Sequence, residues 1–235
     1  MVHGIVSSIG GIANHIRWLL LLSKNYNDML RNLPFKMGTT LENKIEFIKT
    51  NVYNNEGRFY YNWIKSEYIH RHPLQPLFPM YHSHHKIDHQ LDKLLLCLVD
   101  ERNAWHHYLK FNPLTNGETK DIFLKKVLTE SKTKIEWSSD KSFLCLSIDG
   151  LYQKNLDEEI YLKLINYFEI ENCYNDACVV HEIWYNLQQK FKQEVVRDVK
   201  NNQYKWILPD QQEYTDDDRR YIKQIILEEY DDKSV

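Results

Sequence analysis

Three apolar runs of strand length, each followed by a turn and a helical pattern, constrain this chain more than any other feature. They are Gly4-Ile5-Val6-Ser7-Ser8, Lys93-Leu94-Leu95-Leu96-Cys97-Leu98-Val99 and Ser142-Phe143-Leu144-Cys145-Leu146-Ser147-Ile148. Nearly continuous apolar character is what a strand covered on both faces needs. After the first run come Gly10-Gly11, then Ile12, Ile16, Leu19 and Leu20 at helical spacing. Asp100-Glu101-Arg102-Asn103 follows the second and leads into a helix expected through Phe111. Behind the third, Asp149-Gly150 makes a turn before a helix expected from Leu156 to Phe168, with Asp157, Glu158 and Glu159 at the end that the helix dipole favours for acids. Strands alternating with helices predict an α/β fold, a mostly parallel sheet with helices on both sides.

Between these runs, Leu41 to Ile69 has a helical period, with Phe47, Ile48, Tyr60, Trp63, Ile64 and Tyr68 making apolar stripes and Asn54-Asn55-Glu56-Gly57 breaking it into two helices. The stretch from His70 to His89 carries Pro73, Pro76, Pro79 and six of the eleven histidines, and reads as a surface loop. From Gln203 the chain is polar until Asp216-Asp217-Asp218-Arg219-Arg220 and an apolar-spaced helix over Tyr221 to Leu227, either docked or peripheral. The organisation expected is one α/β domain over 1–200 with a helical acidic tail over 201–235.

A chain of 235 residues can bury a sizeable core without disulfides. Its cysteines, Cys97, Cys145, Cys173 and Cys178, have no CxxC spacing and read as reduced thiols in a reducing compartment. The opening MVHGIVSSIGGIANHIRW lacks a basic start, an apolar run and a cleavage site, so no secretory signal is expected. The apolar run Trp18 to Leu22 is too short to span a bilayer, which leaves a cytoplasmic location and no membrane partner as the expectation. A net charge of −3 argues against coating a nucleic-acid backbone. Sixteen Tyr and six Trp, against seven Gly and six Pro, favour compact helices with aromatic surfaces that could meet a protein partner.

Four segments are candidate sites. A strand running through Gly10-Gly11 into a helix aligns backbone N–H groups with the positive end of the dipole, where phosphate or sulfate binds; Asn14, His15 and Arg17 fall in the first helical turns. It is not a GxxxxGK[ST] loop, and the plainer reading is a tight turn. At the end of the second strand, where open α/β sheets bind ligands, Asp100, Glu101, Arg102, His106 and His107 cluster, with helix capping as the alternative. The run Tyr81-His82-Ser83-His84-His85-Lys86-Ile87-Asp88-His89 has metal-ligand chemistry without a metal-binding spacing, so a polar lid is expected and no metal. Arg58 to Arg71 mixes aromatic and basic residues that could stack bases or sugars, although such spacing more often makes a helix with one face in the core, whose Arg58 and Lys65 could still line a cleft.

In order along the chain, three segments resemble the landmarks of the sulfotransferase family. Gly4-Ile5-Val6-Ser7-Ser8-Ile9-Gly10-Gly11 stands where that family has its 5′-phosphosulfate loop. Leu98 to Phe111 is similar to its strand-then-helix segment for the cofactor's 3′-phosphate. Leu144 to Leu151, followed by Leu162 to Ile170, is similar to its late strand and the helix ending in a Phe-Leu-Gly-type motif, here Phe168-Glu169-Ile170. The family's lysine and hydroxyls are replaced by Ile9, Gly10, Ile12 and Ala13, and its arginine by Asp100, with Arg102 two residues on. Gly10-Gly11-Ile12-Ala13-Asn14 is also similar to the opening of some fucosyltransferases, and the chain as a whole resembles short proteins of marine phages, which would place it in a host cytoplasm.

The resemblance implies a P-loop, sulfotransferase-like topology and a transferase that moves a sulfuryl group from 3′-phosphoadenosine 5′-phosphosulfate to the hydroxyl of a small-molecule or sugar acceptor. In that expectation Gly10, Gly11, Asn14, Arg17, Asp100 and Arg102 hold the donor, and His15 or His107 takes the hydroxyl proton. Two other readings stand beside it: a non-enzymatic binding or assembly protein working through its Tyr/Trp-rich helices, and a nucleotide-sugar glycosyltransferase.

Overall fold

The sheet is built from the predicted apolar runs. In the computed structural model, which describes residues 2–7, 12–28, 38–56, 74, 77–78, 80–82, 91–105, 121, 124–125, 143–201 and 215–230, the strands are β1 (His3–Ser7), β2 (Met80–His82), β3 (Lys93–Leu98) and β4 (Phe143–Ser147). They form one sheet in the order β2-β1-β3-β4, and every pairing is parallel. The longer helices among the described residues are α1 (Ala13–Leu21), α2 (Leu41–Glu56), α3 (Glu158–Phe168), α4 (Tyr174–Lys200) and α5 (Asp216–Tyr230). A parallel sheet flanked by helices is therefore the architecture.

Register explains why the runs are apolar on both sides. Ile5 sits beside Leu95, which sits beside Leu144, and these face the larger core with Cys97 and Leu146. Val6, Leu94 and Leu96 point to the opposite face and are equally closed to water, joined by Leu91, Phe143 and Cys145. The alternation of side chains along a strand requires this split, and burial on both faces removes any reason for polar residues.

Helix α1 lies between sheet and helices, so eight of its nine residues are buried and only Asn14 is half-exposed. α4 packs against α1, α2 and α5, with Ala177, Val180, His181, Trp184 and Gln188 recurring at helical spacing on its inner side. α3 packs beside β4, its start capped by the Asp157 carboxylate, which accepts from Ile160 N at 3.0 Å. Its end is closed by Glu169 in the left-handed region, φ 57°.

Two departures from the sequence expectation have physical causes. The proposed surface loop from His70 to His89 contains an edge strand, β2, and Leu74 and Phe78 are fully buried. Prolines obscured it, since they are tolerated beside an edge strand that needs only one ladder of hydrogen bonds. The long helix α4 was not anticipated, because buried polar residues, His181 and Gln188, interrupt its apolar stripe. The tail helix extends beyond the predicted span and docks on α4, with Ile226 and Tyr230 joining the main core. The predicted second helix of the Leu41–Ile69 stretch lies outside the described residues.

Candidate active site at the carboxyl edge of the sheet

The chain leaves β1 to pair β2 on one side and returns to lay β3 on the other, so the order of strands reverses between β1 and β3. In open parallel sheets the crevice beyond the carboxyl ends of the strands at such a reversal is where ligands bind. Here that edge is formed by the end of β1, the start of α1, and the residues just after β3 and β4.

The start of α1 is unusual in what it lacks. Ile12 occupies the N-cap position with no side-chain cap, and no acidic residue stands in the first turn. The helix begins its ladder with Ile16 N to Ile12 O at 3.1 Å, so the amides ahead of it have no partner within the helix. Arg17 reaches back toward this turn, as helical side chains do, and its Nη1 donates to Asn14 Oδ1 at 3.1 Å. The guanidinium is fully buried, yet its Nε and Nη2 have no hydrogen-bond partner among the described residues. Burial alone pulls its pKa down to about 9.

Beyond β3 and β4 the geometry is self-contained. Asp149 Oδ1 accepts from Asp100 N at 2.8 Å and from Asn103 Nδ2 at 3.1 Å, while Oδ2 accepts from Ser147 Oγ at 2.7 Å. Asp100 in turn caps the helical residues 101–105, its Oδ1 accepting from Asn103 N at 2.7 Å. This cluster ties the two strand ends together, and the ladder continues through Ile148 N to Leu98 O at 2.9 Å. Arg102 is exposed on the same turn, and no hydrogen bond or ion pair among the described residues joins it or Asp100 to Arg17.

Under this edge runs a buried aromatic and imidazole layer. Tyr152 lies close to Asp149, Cys97 and Asp100; burial first, then those neighbours, push its phenol up. Its ring meets Trp184 edge-on at 6.4 Å, and Trp184 stacks on His15 at 4.2 Å between centroids. His181 Nε2 lies 2.9 Å from Gln153 O, and since a carbonyl only accepts, that nitrogen carries the proton. His181 Nδ1 must then accept from His15 Nε2 at 2.9 Å, leaving His15 Nδ1 as a buried acceptor with no hydrogen-bond partner among the described residues. Burial holds both rings below the usual histidine range, His15 the further of the two.

Of the expected site residues, then, Asn14 and Arg17 come together at the start of α1, and Asp100 serves as a cap beside Asp149. His15, expected to meet an acceptor hydroxyl, is instead fully enclosed between α1 and α4. Gly10, Gly11, His107 and the histidine run after His82 lie outside the described residues. Among the described residues no group of three or more His, Cys, Asp or Glu is placed to hold a metal ion, and no helix is long and apolar enough to cross a membrane. Sequence reasoning missed His181, Tyr152 and Ser147; only a polar residue inside the Ala177–Trp184 stripe could have pointed to the first.

Fold and edge together define an α/β protein with a parallel sheet. No family model, curated protein or solved structure matches the chain, so what it does is argued from this geometry.

Proposed function

We propose that this protein is a sulfotransferase-like transferase whose donor sits at the reversal between β1 and β3. The observation that carries the reading is the run of the chain from the carboxyl end of β1, at that reversal, into an uncapped helix that holds a buried cation in its second turn. Such an edge suits a sulfo or phosphoryl group. Gly10, Gly11, Asn14 and Arg17 are the residues that would hold it, with Arg102 adding positive charge from the neighbouring strand end. The bound donor, 3′-phosphoadenosine 5′-phosphosulfate, would supply the activated sulfuryl group.

The chain's own part is to orient, to carry charge and to take one proton. An acceptor hydroxyl would lose its proton as its oxygen bonds to sulfur and the bond from sulfur to the donor's 5′-phosphate oxygen breaks, with 3′-phosphoadenosine 5′-phosphate leaving, so a base is needed within hydrogen-bond reach. His107 takes that role in this reading, because in the sequence it stands two residues after the helical residues 101–105. His15 holds α1 against α4 through His181 and Trp184. Asp100 keeps the edge shaped by capping, in place of a direct contact with the donor.

The test is thermal melting with 3′-phosphoadenosine 5′-phosphate, nucleotide sugars and nucleoside triphosphates. Ligand at about 100 times its Kd stabilises by about 2.7 kcal/mol, so a working site is plain in such a screen. Stabilisation by the first ligand supports the reading, and stabilisation by nucleotide sugars alone replaces it with glycosyl transfer. If none of them shifts the melt and light scattering finds a defined oligomer, the transferase reading fails and the assembly reading takes its place.

A further inference from the structure

We infer that the first turn of α1 encloses a site for a tetrahedral oxyanion, gripped in bidentate fashion by Nε and Nη2 of Arg17. The inference deepens the transferase reading by naming the group held and the atoms that hold it. It begins from a fully buried guanidinium with two of its nitrogens unpartnered among the described residues. A buried cation without a counter-charge is costly, and natural interiors pair such groups. Arg17 has no ion pair among the described residues; its one hydrogen bond goes to a neutral amide, Asn14 Oδ1. Burial is the cause that lowers its pKa, and among the described residues no carboxylate is paired with it to offset the charge.

Which nitrogens are unpartnered matters as much as their number. In a guanidinium, Nε–H and one N–H of Nη2 lie along the same edge and point the same way. That edge is a complete fork, matched to two oxygens of one anion, and it is the edge left open, while Nη1 on the other side is held by Asn14. The Asn14 bond fixes the plane of the fork, so the grip is preorganised. A second, independent source of positive potential lies at the same turn. α1 starts with neither a side-chain cap nor an acid, so its N-terminal amides and dipole favour negative charge there. A fork that takes two oxygens and amides that take others call for a group with more than two, which favours sulfate or phosphate chemistry over a carboxylate.

The experiment uses the full chain with inorganic sulfate and inorganic phosphate as probes, read by thermal melting. Sodium chloride at matched ionic strength and sodium acetate are the controls. Sulfate or phosphate is expected to raise Tm saturably, beyond either control. Arg17→Met is expected to abolish that response while leaving the empty protein as stable as before or more so, because an uncompensated charge has gone. Asn14→Asp, a half-exposed isosteric change, is expected to weaken the response by about tenfold or more, since its carboxylate would occupy the guanidinium. Should Arg17→Met fail to fold, Asn14→Asp decides.

A saturable response in the natural chain that both variants keep unchanged overturns the inference, as does a response to acetate alone or none to any anion. The two readings separate cleanly. Sulfate binding that depends on Arg17, without any response to nucleotides, keeps this site and removes the transferase. A response to 3′-phosphoadenosine 5′-phosphate that both variants retain does the reverse.

Discussion

At the residue scale, buried polar side chains carry most of what is distinctive here. His15 and His181 are neutral in the folded protein, and burial holds both below their ordinary value of 6.5; His3, packed between Phe78 and Phe168, is lowered too. Their sign is fixed by linkage. Above pH 6.5 neither the folded nor the unfolded chain protonates them, but below it the unfolded chain takes up protons that the folded one refuses, so stability falls with falling pH. Tm should therefore drop between about pH 6.5 and 5, before carboxylates titrate, and His15→Gln should flatten that limb. A limb unchanged in the variant would show that the pair does not govern acid stability. Lys44 is a related case: its ammonium donates to Leu22 O at 3.1 Å and Ser23 O at 2.7 Å, closing the end of α1, while burial brings its pKa down to about 8. None of these three pairings could be read from sequence, where His181 and Lys44 look like ordinary polar positions on helices. Arg17 could be read as a candidate, because it stands six residues after Gly11 in a run of helical spacing.

At the element scale, several junctions rest on single side chains. Asp149 joins the ends of β3 and β4 through three hydrogen bonds, so Asp149→Ala should cost about 1–3 kcal/mol in urea denaturation and loosen the helical turn at residues 101–105. A change within 0.5 kcal/mol, the scale of an ordinary surface substitution, would show the cluster to be surface dressing. Tyr161 does comparable work between α3 and α4. Cys173 at the start of α4 has no side-chain cap, and the Tyr161 hydroxyl accepts from its backbone N–H at 3.0 Å. Tyr161→Phe leaves that half-buried donor without its hydroxyl acceptor and should cost about 1 kcal/mol, measurable by the same denaturation. The strands and α3 were legible because runs of apolar residues and an Asp157 cap are local signals. β2 and α4 were not, because one is a three-residue edge among prolines and the other owes its length to packing against α1, α2 and α5.

At the scale of the whole molecule, the last described helix is part of the body. Ile226 is fully buried and Tyr230 nearly so, both in the main core, and α5 packs on α4. Ile226→Ala should destabilise the chain by about 2–4 kcal/mol, and ending the chain at Asn201 should do at least as much and bare the outer side of α4. Equal melting of the shortened and full chains would mean that α5 only rests on the surface. Because α4 also holds His181 and Trp184 against His15, loss of α5 is expected to reach α1, and with it the carboxyl edge.

The sequence by itself determined the class of architecture, since apolar runs alternating with helical patterns can be buried only as a parallel sheet flanked by helices. It also pointed to the start of the first helix as a candidate, because Asn14 and Arg17 follow Gly10-Gly11 in a run of helical spacing. Only the tertiary structure decided the strand order, the pairing of His15 with His181 across 166 residues, the use of Asp100 as a cap, and the isolation of the Arg17 fork. The reason is physical: hydrophobic periodicity is a local property of the chain, whereas the partners of a buried polar group come from segments far apart in sequence. Which of those groups is satisfied, and which has no partner among the described residues, is settled when the helices close over the sheet.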